Sequence, residues 1–151
     1  MVSPILEAAS VADLDVIRTV LSAGELPIED VDQHVANFIL AKWNGTTIGT
    51  VAVEYAGGAA LLRSLCVVPR HRGQSVGARL LAAAEAKAAS RAVRVLYLLT
   101  TSSPAFFERH GFSLASREEA PPGIQRTAQF RTLCPSTAIC MRKSLAVDSN
   151  E

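Results

Sequence analysis

The residues best suited to chemistry lie in one run: Val68-Pro69-Arg70-His71-Arg72-Gly73-Gln74-Ser75-Val76-Gly77-Ala78. An apolar stretch of β character ends at Pro69, a basic turn carrying Gly73 follows, and an alanine-rich helical pattern opens directly behind it. The first N–H groups of a helix have no intrahelical acceptor and point at whatever binds there. The helix dipole favours an anion at that end, and flanking arginines add charge-assisted hydrogen bonds. A pyrophosphate suits such a turn. A glycine-bearing turn alone is also an ordinary strand-to-helix connection, so the strand before it and the helix after it carry the functional reading.

The rest of the chain must position that turn. Its 151 residues suffice for one domain with a proper core, assigned to 1–145, with 146–151 a disordered tail. A hydrophobic content of 49% argues against disorder. A net charge of +1 provides no global field for nucleic acid or an anionic membrane. No apolar run is long enough to span a bilayer, and the amino terminus lacks a signal-peptide layout. Three cysteines without a secretory signal fit a reducing cytoplasm. Their spacing matches no metal signature, so no metal is expected.

Val2–Ala8 is expected to be an edge strand. Ser10 and Asp13 form a capping box for an amphipathic helix over 11–22, with a shorter helix over 28–34. Strands follow over 37–43 and 47–55, joined at Asn44-Gly45, a strong hairpin turn. Gly57-Gly58 turns the chain into a strand over 59–68 that is buried on both faces. A helix over 75–92, a buried strand over 93–99, and a helix from Pro104 to His110 come next. The pattern closes with a strand over 112–116, an excursion over 121–133 and a last strand over 136–145.

The run Arg72-Gly73-Gln74-Ser75-Val76-Gly77 resembles the acyl-CoA-binding motif of the GNAT superfamily of N-acetyltransferases, Arg/Gln-x-x-Gly-x-Gly/Ala. Ser75 stands at its central glycine. Leu98 to Phe112 resembles the family's second acetyl-CoA motif. The resemblance implies an α/β (α+β) GNAT acyl-CoA N-acyltransferase fold, a mixed and mostly antiparallel sheet flanked by helices. Its central strands, here 59–68 and 93–99, splay to admit pantetheine. It implies acetyl-CoA as cosubstrate, bound by Cys66, Val67, Val68, Arg72, Gly73, Gln74, Ser75, Val76, Gly77, Ala78, Phe106 and Phe107. Both phenylalanines are equally consistent with plain core. Relatives are often dimers, so a homodimer is compatible with the resemblance.

Leu61-Leu62-Arg63-Ser64-Leu65, Leu98-Leu99-Thr100-Thr101 and the segment from Phe130 to Arg142 resemble the N-acetyltransferases of bacterial arsenic-resistance operons. The Leu-Thr-Thr stretch is also similar to the acetyltransferase domain of N-acetylglutamate synthase. These similarities imply a small amino-acid acceptor, glutamate or a mimic such as arsinothricin or phosphinothricin. The rivals are a protein N-terminal or lysine acetyltransferase and a non-catalytic acyl-CoA-binding module.

The expected reaction is direct attack of a free amine on the thioester in a ternary complex. Backbone N–H groups around Cys66 and Val67 would form the oxyanion site. Some relatives carry a basic glutamate where Leu61 stands and an acidic tyrosine where Phe107 stands, so both roles are vacant. Glu54 is the substitute base, set against the reading of a solvated edge-strand carboxylate. His34 and His110 are lesser candidates, His110 also reading as a helix cap, and His71 falls beside the cofactor. Strand alternation puts residues 61, 63 and 65 on one face. The Arg63 guanidinium there needs a partner. That partner is an acceptor carboxylate or phosphinate, or else an internal acid such as Glu54. Ser64 and Thr100 are expected to hydrogen-bond the acceptor; Arg126 and Arg131 either cap the acceptor site or face water, and the second is the expectation.

Overall fold

A computed structural model describes residues 3–146, so most of the expected tail lies outside the described residues. Seven strands are described, and the chain clusters into two compact units. One comprises the residues up to Val53 together with Arg63–Glu85. The other comprises Glu54–Leu62 together with the residues from Ala86 onward.

The first unit begins with β1 (Ile5–Ala8). Ser10 then opens a 3-10 turn over Val11–Asp13: its N–H donates to Asp13 Oδ2 at 2.9 Å while the Asp13 N–H donates to the Ser10 carbonyl. That tight turn replaces the expected first helical turn, and α1 (Leu14–Ala23) follows. Its stripe of Ile17, Val20 and Leu21 packs with Val31, Phe38, Leu40, Ala52 and Cys66 in one apolar cluster. The second helix is shorter than expected: α2 covers Val31–His34 and tightens into a 3-10 turn over Val35–Asn37.

Antiparallel β2 (Phe38–Trp43) pairs with β1 on one side and β3 (Thr46–Ala56) on the other. Asn44 and Gly45 take φ of 53° and 75°, the left-handed pair that a two-residue hairpin needs. The strand order in this unit is β1-β2-β3-β4, where β4 covers Ala59–Val67. Helix α3 (Val76–Ser90) buries Leu80, Leu81, Ala84 and Ala88. Gly49 lets α3 approach β3 closely: a Cβ there would lie 2.8 Å from Leu80 Cδ1 and 3.2 Å from the Cys66 carbonyl oxygen.

In the second unit the order is β4-β5-β7-β6. The parallel ladder between β4 and β5 (Val95–Thr100) has three pairs, Ala59–Val95, Ala60–Leu96 and Leu61–Tyr97. Strand β7 (Ile139–Ser144) runs antiparallel to β5 and to β6, which is two residues long, Ser113–Leu114. The longer strand expected at 112–116 ends early because Ser116 opens another 3-10 turn, its N–H donating to Glu119 Oε1 at 2.7 Å. The excursion resolves into α5 (Pro122–Gln125) and a π turn over Gln129–Leu133. Ile124 and Phe130 pack with Leu61, Tyr97 and Cys140. Among the described residues no helix is long and apolar enough to cross a membrane.

Candidate anion and cofactor site

The turn between β4 and α3 is tied down at its start and open along its second half. The Val68 N–H donates to the Ile48 carbonyl at 2.9 Å, and a 3-10 turn over Pro69–His71 follows. Gly73 then takes φ of +78° and Ser75 φ of +68°. Alternation of left-handed residues with ordinary ones turns successive N–H groups into one concavity, an anion-binding nest. The Arg79 N–H donates to the Ser75 carbonyl, closing the helix behind the turn. From Gly73 to Ala78 the N–H groups have no backbone acceptor among the described residues.

Arg70, Arg72, Gly73 and Ser75 are exposed, while Val76 is buried and anchors the helix start. The Arg72 Nε donates to the Val67 carbonyl at 2.9 Å, which folds the side chain back over the end of β4. Gln74 Oε1 and His71 Nδ1 are enclosed and without a hydrogen-bond partner. Unpaired donors, two cationic side chains and two orphaned polar atoms fit a pyrophosphate-bearing ligand such as acetyl-CoA.

Three residues before the end of β4 the picture reverses. Ser64 takes φ of +61° inside the strand, and the Thr50 hydroxyl donates to its carbonyl at 2.8 Å. A left-handed residue within a strand is the signature of a bulge, and it breaks the two-residue alternation. Arg63 and Cys66, rather than Arg63 and Leu65, consequently meet the elements that pack on one side. Cys66 joins the α1 cluster, and Arg63 reaches Asp30 beside α2. This removes Leu65 from the face expected to hold residues 61, 63 and 65, while 61 and 63, which precede the break, keep their alternation.

Arg63 grips Asp30 bidentately, Nη1 to Oδ2 at 2.8 Å and Nη2 to Oδ1 at 2.7 Å, and its Nε donates to Ser64 Oγ at 3.2 Å. The side chains are 0% and 8% exposed. His34 Nε2 lies 3.5 Å from Asp30 Oδ2. Burial pushes the Asp30 carboxyl up, but the Arg63 hydrogen bonds and charge, with His34, outweigh it and leave the group below its ordinary range. Asp30 is one internal partner of Arg63. It is 33 positions away in sequence, and no local pattern pointed to it. Burial raises the Cys66 thiol, nearby Arg72 opposing it, so that thiol is a packed group.

In the second unit, Ser103 precedes α4 (Pro104–Arg109), with Pro104 at the first helical position as expected. The Thr100 hydroxyl oxygen accepts the Ser103 N–H at 3.0 Å. Phe107 is buried and edge-on to Phe106 and Phe112, with centroids at 5.2 and 5.6 Å. Phe106 is half-buried and stacks on His110 at 4.4 Å, and the His110 Nδ1 donates to the Phe106 carbonyl at 2.9 Å, a helix-end cap. Leu61 is fully buried, and Glu54 lies half-buried near the end of β3. Arg126 and Arg131 are exposed. Cys66 and Cys140 are buried and Cys134 half-buried, and none of the three is in a disulfide.

Residues 34–114 match the model of the Acetyltransferase (GNAT) domain. The chain is 32% identical over 114 residues to an uncharacterized N-acetyltransferase of Chlorobaculum tepidum, covering 75% of this chain and 71% of that one. It is 28% identical over 95 residues to an amino-acid acetyltransferase of Mannheimia succiniciproducens, covering 62% of this chain and 22% of that one. In structure it is similar to N-acetylglutamate synthase from Neisseria gonorrhoeae, solved with coenzyme A and N-acetyl-glutamate. That similarity has a TM-score of 0.85 at 21% identity and covers 97% of this chain and 36% of that one. The chain thus spans about a third or less of these two longer proteins.

Proposed function

Because the chain belongs to the GNAT acetyltransferase family, we propose that it moves the acetyl group of acetyl-CoA onto the amino group of a small amino acid, with glutamate and its phosphinic or arsinic mimics the leading acceptors. The observation that carries the cofactor half is the run of N–H groups from Gly73 to Ala78 without backbone acceptors, held open by left-handed Gly73 and Ser75. The acceptor half rests on kinship with amino-acid acetyltransferases.

Acetyl-CoA supplies an activated thioester. The turn amides and Arg72 bind its pyrophosphate, and the Cys66 and Val67 amides receive the carbonyl oxygen as charge develops on it. The acceptor nitrogen bonds to the acetyl carbon, the C–S bond breaks, and the thiolate leaves with the electron pair. An ammonium acceptor gives up two protons: one before attack, at about 1.4 kcal/mol for each unit by which the amine pKa exceeds ambient pH, and a second from the nitrogen once its bond to the acetyl carbon has formed. Leu61 and Phe107 carry no proton, so Glu54 is assigned the base, directly or through water, and solvent protonates the thiolate.

Arg63 is assigned to holding β4 through Asp30 rather than to touching the acceptor, since both of its Nη atoms are engaged and its side chain is enclosed. Ser64 and Thr100 are likewise buried and engaged.

Thiol release from acetyl-CoA tests the reading, with glutamate, phosphinothricin, arsinothricin and a lysine peptide compared side by side. Release with glutamate or a mimic and none with the peptide supports it. Release with the peptide alone assigns a protein acceptor. Tight acetyl-CoA binding with no release from any amine favours an acyl-CoA-binding module, the reading that the vacant positions at Leu61 and Phe107 support.

A further inference from the structure

Thr50 stands on β3 in the run Ile48-Gly49-Thr50-Val51-Ala52 and is fully buried. A hydroxyl in such a place costs stability unless it is bonded, and a valine would fill nearly the same space without that cost. The Thr50 hydroxyl is bonded: it donates to the Ser64 carbonyl of β4 at 2.8 Å. Ser64 is the residue in need of support. Its φ of +61° is a strained conformation for any residue with a side chain, and such strain persists only where the surroundings over-determine it. Here they act on two parts of the residue. Thr50 holds the carbonyl, and Arg63 Nε donates to the Ser64 Oγ at 3.2 Å. Arg63 is in turn fixed by its two bonds to Asp30.

The bend at Ser64 lies just ahead of Cys66 and Val67, and just beyond them the Val68 N–H donates to the Ile48 carbonyl at 2.9 Å. The short stretch that carries the Cys66 and Val67 amides therefore runs between two anchors, and β3 supplies both, through Thr50 and Ile48. We propose that Thr50 is a positioning residue: its hydroxyl locks Ser64 in the left-handed bend, and the bend aims the Cys66 and Val67 amides at the oxyanion. Thr50 touches no substrate and acts through the backbone of β4. The lock stands on the structure alone, while its part in catalysis rests on the acetyl-transfer reading above. Without the hydroxyl the Ser64 backbone is released toward unstrained conformations, and the amides turn with it. Oxyanion donors act by their geometry in the transition state, so misaimed donors slow the reaction without weakening a cosubstrate whose pyrophosphate is held at the turn.

The experiment compares wild type, Thr50→Val and Thr50→Ser in the full chain. Thiol release from acetyl-CoA with glutamate gives kcat and KM, calorimetry gives the affinity for CoA, and amide hydrogen exchange reads residues 64–67. Thr50→Val should lower kcat about tenfold while CoA affinity stays within about twofold. It should also speed exchange of the 64–67 amides about tenfold, with the β2 amides unchanged. Thr50→Ser restores the hydroxyl and should bring both kcat and exchange back to within about threefold of wild type. Wild-type kcat or wild-type exchange in Thr50→Val overturns the proposal. A joint fall of kcat and CoA affinity that Thr50→Ser does not reverse also overturns it, since that is the pattern of a residue that only packs. If wild type itself releases no thiol with glutamate, faster exchange in Thr50→Val that serine reverses upholds the lock on Ser64 and removes the glutamate reading instead.

Discussion

Strand β4 and the turn beyond it contain two charged regions that solve opposite problems. At Arg63 the guanidinium is enclosed, gripped by Asp30 at 2.8 and 2.7 Å, and supported by Ser64. At Gly73–Ala78 the amides have no backbone acceptor among the described residues, and the nearby arginines are exposed. A satisfied charge serves the fold, whereas an array of donors without backbone acceptors is what the proposed acetyl-CoA site would use. Residue type alone does not distinguish the two, since both regions offer arginine beside serine.

The largest effect that would break this comparison lies at the closed region. Asp30→Ala removes the bidentate acceptor of the buried Arg63 cation, and should cost about 3–5 kcal/mol in a urea titration. The paired change Asp30→Leu with Arg63→Met should recover most of that loss, because the cost lies in a buried charge that has lost its bidentate carboxylate. Acetyl-CoA affinity should stay within about twofold in any variant that folds, since the turn amides are untouched. A collapse of affinity would merge the two regions into one functional unit.

Next in size is the open region. Arg72→Ala should weaken acetyl-CoA binding about tenfold by calorimetry while leaving the melting temperature nearly unchanged. Loss of stability without loss of affinity would place Arg72 with Arg63 as a structural group, acting through its bond to the Val67 carbonyl.

Acid sharpens the contrast further. The folded Asp30 carboxyl lies below its ordinary value, so its contribution to stability is fully present above the unfolded pKa of about 4 and is lost as pH falls through the folded one. The stability gap between wild type and Asp30→Asn should therefore be constant from about pH 7 down to pH 5 and narrow below about pH 4. A gap that stayed constant to the acid limit would mean that the ion pair contributes nothing.

The smallest effect concerns backbone strain. Ser75 sits at φ of +68°, where a side chain costs about 1 kcal/mol or more. Ser75→Gly should stabilise the fold by about 0.5–1 kcal/mol. Unchanged acetyl-CoA affinity would restrict the role of Ser75 to its N–H, and a several-fold loss would give its hydroxyl a phosphate contact.

Much of the frame was legible from the sequence, and the reason is locality. The hairpin at Asn44-Gly45, the capping box at Ser10 and Asp13, the proline start of α4 and the order of seven strands depend on neighbouring residues or on short hydrophobic periods. The anion turn belongs to the same group, because a strand, a basic glycine turn and a helix adjoin in the chain. The excursion was harder: Arg117 bonds the carbonyls of Pro135 and Ala138, partners that no periodicity announces.

The sequence by itself determined that a helix would begin just past Ser75 with its amides unpaired, since helix ends leave donors open wherever they occur. Only the tertiary structure decided what Arg63 does. Its partner Asp30 comes from a loop 33 positions earlier, and a bulge at Ser64 follows it in the strand. A left-handed residue inside a strand shifts every later side chain by one position, which a strict alternation cannot anticipate.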